Sequence, residues 1–210
     1  MNMSNPTIFV IDDDVPLLNA LARLLVANGF ETRTFSSPHT FLEAHDPEIP
    51  GCAVVDMSMP GLNGLELQAA LQGSDGLTRP IIFITGRGDI PTTVRAMKGG
   101  AVDFLTKPIN ETALLDAVTT AIEQDNSSRI DRMERSDVAN RYLLLTERER
   151  EVLSHVVAGR LNKQIAADLG IAEKTIKLHR GRVMSKMKVR SLAELVRLSS
   201  QLGLHLPPGR

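Results

Sequence analysis

One pattern, recurring through the first 124 residues, constrains this chain more than any other feature: a short apolar run, a polar residue at its end, then apolar side chains at helical spacing. Thr7-Ile8-Phe9-Val10-Ile11 runs into Asp12-Asp13-Asp14, and Cys52-Ala53-Val54-Val55 into Asp56. Pro80-Ile81-Ile82-Phe83-Ile84 runs into Thr85-Gly86, and Val102 to Leu105 into Thr106-Lys107-Pro108. A more polar run, Glu31 to Phe35, completes five. Near-continuous apolar runs belong to strands covered on both faces, the signature of a parallel sheet. Helical patterns fill the intervals: Pro16 with Leu17, Leu18, Leu21, Leu24 and Leu25; a Ser37-Pro38 start; an Asn63-Gly64-Leu65-Glu66 capping box; Ile90 to Lys98; and Glu111 to Glu123. Five strands alternating with five helices predict a doubly wound α/β domain over residues 1–124.

The rest of the chain has a different character. Residues 1–124 hold 15 acidic and 7 basic side chains, whereas 125–210 hold 10 and 17, so a formal charge of −1 conceals halves of −8 and +7. Two domains with different partners are expected, the second partner being a polyanion. Residues 125–141 are polar and contain neither Pro nor Gly, a linker with nothing to stop a helix. From residue 142 the pattern is helical throughout. A Thr146-Glu147-Arg148-Glu149 capping box opens a helix that ends at Gly159, and Asn162 caps a short helix to Leu169. Gly170 supplies a turn, a longer helix runs from Glu173 to Lys188, and Ser191-Leu192-Ala193-Glu194 starts a fourth. A smaller all-α, four-helix domain over 142–210 is predicted, ending in a frayed Pro207-Pro208-Gly209 tail. The single Cys52 excludes an internal disulfide, and no apolar run reaches membrane-spanning length, so a cytoplasmic protein is expected.

Strand ends bring Asp12, Asp13, Asp56, Thr85 and Lys107 to one sheet edge, where α/β domains carry their chemistry. Converging carboxylates repel unless a cation is present, and hard oxygen donors suit Mg²⁺. Each element alone has a plainer reading: a capping turn, a loop, a strand terminator, and for Phe104 a core position. Arg87-Gly88-Asp89 is read as coincidental.

Together, Asp12-Asp13, Asp56, Thr85-Gly86 and Lys107-Pro108 resemble the receiver domain of two-component response regulators, over residues 7 to about 123. That resemblance implies the flavodoxin-like strand order and makes Asp56 the phosphoacceptor. It implies Mg²⁺ held by Asp13, Asp56 and the Ser58 carbonyl, with Asp12 acting mainly through water, and a cis Lys107-Pro108 bond. Thr85 and Lys107 would bind the phosphoryl group, and Thr85 with Phe104 would form the switch.

The basic half resembles the LuxR-type helix-turn-helix output domain of the FixJ and NarL regulators, from Leu145 to about Leu198. Ile176, Val183 and Met187 repeat at core spacing on the recognition helix. By resemblance Lys163 and Thr175 would hold phosphates, Lys177 and Leu178 would meet base edges, and Lys174, Arg180 and Arg182 would add contacts. Two departures stand out. Ala172 occupies a position that is usually a capping Ser, and its loss costs ~1 kcal/mol. Gly181 costs ~1 kcal/mol relative to Ala in mid-helix, and either admits close approach to DNA or removes a base contact. No histidine has a partner at metal-ligand spacing.

The expected function is phosphorylation-controlled regulation of transcription and not substrate turnover. A sensor histidine kinase is the expected phosphoryl donor and double-stranded promoter DNA the target. Phosphorylation is expected to favour a homodimer through the Ile90 to Leu105 face. RNA polymerase is a further candidate partner; a membrane is not. Two other readings stay open: a phosphatase with its nucleophile in the Asp12–Asp14 loop, and a receiver whose basic tail binds RNA or protein. The lack of interleaved aromatics counts against RNA.

Overall fold

The computed structural model describes residues 5–71, 78–86 and 90–201, with no side-chain detail for Gln201. The expectations placed on Arg87-Gly88-Asp89 and on the Pro207-Pro208-Gly209 end lie outside these residues. The chain divides into two compact units, residues 1–129 and 130–210.

The first unit is built on strands β1 (Thr7–Ile11), β2 (Glu31–Phe35), β3 (Gly51–Asp56), β4 (Ile81–Thr85) and β5 (Asp103–Thr106). They form one sheet in the order β2-β1-β3-β4-β5, every pair parallel. Between them come α1 (Val15–Ala27), α2 (Pro38–Ala44), α3 (Gly64–Leu71) and α4 (Ile90–Lys98), and α5 (Glu111–Leu143) follows β5. The doubly wound α/β expectation holds.

The apolar runs divide by parity, because successive strand side chains point to opposite faces. Ile8, Val10, Cys52, Val54, Ile82 and Ile84 pack on one side with Leu18, Leu21 and Leu25 of α1 and Leu114, Val118 and Ala121 of α5. Phe9, Ile11, Ala53, Val55, Ile81 and Phe83 pack on the other with Phe41, Leu67, Leu71 and Ala96. Each large apolar side chain so buried contributes about 1.5–3 kcal/mol. In the deepest part of the sheet, β3 starts on Gly51, whose φ of +133° brings a Cβ to 1.9 Å from the Thr7 carbonyl oxygen, so only glycine fits.

Helix starts follow the sequence reading closely. Asp14 accepts the Leu17 N–H at the start of α1, and Ser37 that of Thr40 at α2. Asn63 and Glu66 bond reciprocally at α3.

One helix end differs from expectation: the helix predicted to close at Glu123 is continuous to Leu143, and residues 125–141, a linker with nothing to stop a helix, are helical. Polar residues hold it. Asp125, 4% exposed, accepts the Gly51 N–H at 2.8 Å and Arg129 Nε at 2.7 Å. Arg129 in turn donates to the carbonyls of Pro47, Glu48 and Ile49. Nearby, Arg79 donates to the carbonyls of Asp46 and Ile49 and lies 4.3 Å from the Phe9 ring centroid. Burial lowers its guanidinium to about 10.

In the second unit α6 (Glu147–Val157), α7 (Asn162–Leu169), α8 (Glu173–Lys186) and α9 (Leu192–Gln201) enclose Val152, Leu153, Val156, Ile165, Ile176, Val183, Met187 and Leu195, joined by Val138 from α5. The Thr146–Glu149 capping box is present. Behind it, the buried Glu149 carboxylate is 2.6 Å from Lys186 Nζ. Asn162 does not cap α7. Leu161 is the N-cap residue and its N–H is accepted by Gln164 Oε1, while Asn162 begins the helix itself. α8 stops two residues early because Met187 caps it and Lys188 turns to a φ of +53°.

Candidate functional site

At the carboxyl edge of the sheet, β1 ends beside Asp12, β3 ends on Asp56 and β4 on Thr85. The loop after β5 returns Lys107 to the same place. Its N–H is accepted by the Thr85 carbonyl at 2.7 Å, and the peptide it makes with Pro108 is cis, as the resemblance implied. The Lys107 ammonium lies 2.7 Å from Asp56 Oδ1 and 2.9 Å from Asp12 Oδ2. One cation thus faces two carboxylates that are 5% and 2% exposed at their side chains.

Backbone amides orient both acids. Asp56 Oδ2 accepts the Ser58 N–H at 2.7 Å, and Asp12 Oδ1 accepts the Asp14 N–H at 2.8 Å. The chain leaves β3 sharply, with Gly64 N–H donating to the Met57 carbonyl. A Cβ on Gly64 would fall 2.9 Å from the Phe83 ring and 3.1 Å from the Asp56 carbonyl, so glycine is what lets α3 start against the acidic edge. The capping box pointed to a helix start there but carried no sign of that close approach.

The charges are out of balance. Burial pushes the Asp12 carboxyl up, against the opposing pull of Lys107 and the Asp14 amide. Burial opposes the Lys107 charge as well, but its bonds to Asp56 and Asp12 outweigh this and raise it above the ordinary lysine range. Such an edge attracts a further cation or a group that takes over the lysine.

Other predicted residues are placed differently. Asp13 is exposed, and among the described residues no three His, Cys, Asp or Glu side chains are grouped closely enough to hold an ion. Ser58 is exposed and engages Asp56 through its amide. Thr85 is fully buried. Phe104 is half-buried, 6.5 Å from Phe83 between ring centroids.

In the second unit, α8 divides cleanly. Ile176 and Val183 are buried, whereas Lys174, Lys177, Leu178, Gly181, Arg182 and Ser185 form one exposed stripe. Lys163 is exposed on α7 and Thr175 half-buried. Arg180 lies off the stripe, donating to Asn162 Oδ1 at 2.6 Å. That bond joins the two helices of the helix-turn-helix, and no local pattern of residues signals it. Ala172 stands at the α8 N-cap without a side-chain bond, as anticipated. Among the described residues no helix is long and apolar enough to cross a membrane.

Comparison with known proteins finds relatives of both units. Residues 8–119 match the response regulator receiver domain, and residues 143–199 the luxR family of bacterial regulatory proteins. The chain is 45% identical to nodulation protein W of Bradyrhizobium diazoefficiens over 94% of its own length and 86% of that protein's. It is 42% identical to the transcriptional regulatory protein FixJ of Rhizobium meliloti, over 94% and 96%. The solved response regulator StyR superposes with a TM-score of 0.82 at 49% identity, covering 94% of this chain and all 100% of that one. The chain belongs to the two-component response regulators that join a receiver to a LuxR-type DNA-binding domain, and is a phosphorylation-controlled regulator of transcription.

Proposed function

We propose that Asp56 accepts a phosphoryl group from the phosphohistidine of a sensor kinase, and that the modified receiver favours a homodimer whose α8 helices read two half-sites of promoter DNA. The observation that carries this reading is Lys107 Nζ lying within 2.9 Å of both Asp56 and Asp12 at the sheet edge. An oxygen of Asp56 attacks phosphorus as the P–N bond to the donor histidine breaks. Asp12 and Lys107 then have distinct parts. The ammonium is already in hydrogen-bond reach of Asp56 and can follow charge onto the new phosphoryl oxygens. Buried Thr85, one strand over, shifts to bring its hydroxyl to an oxygen of the same group, and Phe104 responds to that movement.

The donor set suits Mg²⁺: hard carboxylate oxygens outnumber the one ammonium, since buried Asp12 and Asp56 share Lys107 between them. Asp12, Asp13, Asp56 and the Ser58 carbonyl would hold the ion, with Asp13 turned in from its exposed position to join the two buried carboxylates. When bound, it supplies electrostatic neutralisation of the transferring group.

On the output side Lys163, Lys174, Thr175, Arg180 and Arg182 serve phosphates, while Lys177 and Leu178 meet bases. Ile90, Val94 and Met97 of α4, 80%, 43% and 43% exposed, supply the apolar part of the dimer face. RNA polymerase is the partner expected at the promoter.

Acetyl phosphate with Mg²⁺ tests the acceptor. Wild type takes label and Asp56→Asn takes none; label retained on Asp56→Asn overturns the assignment. A gel shift with the same two proteins tests the output, where phosphorylation should tighten promoter binding only in wild type.

A further inference from the structure

We infer that Gly181 and Leu178 form an apolar notch on α8 that takes the C5-methyl of a thymine, making Gly181 a specificity-determining position although it has no side chain. The inference rests on the reading that the exposed stripe of α8 meets duplex DNA.

Glycine at 181 has no internal reason. Every other described glycine except Gly86 either holds a positive φ or has a Cβ position crowded to within 3.4 Å by a neighbour. Gly181 has a helical φ, and no described atom outside its own turn lies within 4 Å of where a Cβ would stand. A side chain would therefore fit the folded protein, and a helix interior favours one. What the glycine accommodates lies outside the chain.

Its surroundings identify that occupant. The nearest positions on the helix surface are 177, 178, 184 and 185; Lys177, Leu178 and Ser185 are exposed and Met184 is half-buried, so Gly181 lies within the stripe, on the side that borders Met184. Ile176 and Val183, with 0% and 1% exposure, fix the opposite face in the core and prevent the helix from rolling Gly181 inward. Lys177 and Arg182 give the rim positive charge, yet Leu178, 54% exposed, leaves the floor apolar. At the base edges of the major groove the thymine C5-methyl is the apolar group on offer. Leu178 supplies one wall for it and the missing Cβ supplies the depth.

The test is a cycle that changes one methyl on each side. Wild-type full-length protein, phosphorylated with acetyl phosphate and Mg²⁺, selects a duplex from a randomised library. Each thymine of that duplex is then replaced by uracil, and binding is measured for wild type and Gly181→Ala. Wild type should lose about four-fold at one thymine of each half-site, the value of one buried methyl group. Gly181→Ala should bind the thymine duplex at least about four-fold more weakly, and its thymine-to-uracil ratio at that step should fall below about two-fold. Its salt dependence should be unchanged, because no charge is altered. Folding is not at risk, since the alanine should raise the melting temperature by about 4–8 °C. Equal binding by Gly181→Ala and wild type, with the same thymine preference, overturns the notch. Lys177→Ala/Arg182→Ala is the separate control: if it binds like wild type, the α8 reading itself fails.

Discussion

At the residue scale both units depend on a lysine facing a buried carboxylate, and the two cases respond to change in opposite ways. Lys107 serves two acids, so it is short of what they require, and removing it leaves both uncompensated. Lys107→Met should destabilise the receiver unit by about 1–3 kcal/mol in denaturant unfolding without metal, and adding Asp56→Asn should restore part of the loss by removing one of the two charges. Equal stabilities of single and double variants would show that the carboxylates do not repel. Glu149 has a lysine to itself. Burial opposes its charge, but Lys186 and the Thr146 amide and hydroxyl outweigh this and hold it below the usual carboxylate range. A depressed carboxylate contributes stability that is present above its unfolded pKa, about 4.3, and lost as pH falls through the folded value. Tyr142 is the chain's one tyrosine, with no tryptophan present, and it packs on the second core, so its fluorescence reports that unit alone. Glu149→Gln should lower the unit's stability by about 1–3 kcal/mol at pH 7, and the difference from wild type should narrow as pH falls below about 4.

At the scale of elements, legibility followed the kind of contact each residue makes. β1, β3 and β4 were plain in the sequence because a strand buried on both faces needs apolar side chains at every position. Helix starts were plain where the capping group is local, as at Asn63–Glu66 and Thr146–Glu149. The continuation of α5 was not. Asp125 and Arg129 read as solvent-facing polar residues, and only partners 74 to 82 positions away show otherwise. The Asn162–Arg180 bond escaped for the same reason, since an asparagine before a helical pattern reads first as a cap. At the acidic edge the identities of Asp12, Asp56, Thr85 and Lys107 were legible from strand ends, whereas the sharing of Lys107 between two acids needed coordinates. The α5 contacts can be tested as a unit. Asp125→Ala should destabilise the receiver by about 1–3 kcal/mol, since it strands the buried Gly51 N–H and takes from Arg129 its carboxylate partner. Because the two side chains act together, Asp125→Ala/Arg129→Ala should cost less than the sum of the single changes in denaturant unfolding; strict additivity would mean they act separately.

At the scale of the molecule, an acidic receiver and a basic output unit share one chain with a net charge of −1, so association with DNA is governed by where charge lies and not by its total. Each phosphate contact contributes about 0.9 to the slope of log affinity against log salt. One output unit alone leaves that slope shallow, and two held together double the contacts. A shared dimer also makes the second half-site engagement intramolecular, which can raise affinity by about 10²–10⁴ without any new contact. The α4 face is where the two effects can be separated from phosphorylation. Val94 and Met97 are each 43% exposed and take no part in the bonds of Asp56 and Lys107, so a charge there should leave the chemistry intact. Val94→Asp/Met97→Asp should take label from acetyl phosphate at the wild-type rate, stay monomeric in sedimentation, and bind a two-half-site duplex at least about 100-fold more weakly than phosphorylated wild type. Its salt slope should fall to about half, and its affinity for a single half-site should equal that of wild type. A labelled monomer that still bound the double site with wild-type strength and slope would place the coupling between receiver and output somewhere other than dimerisation through α4.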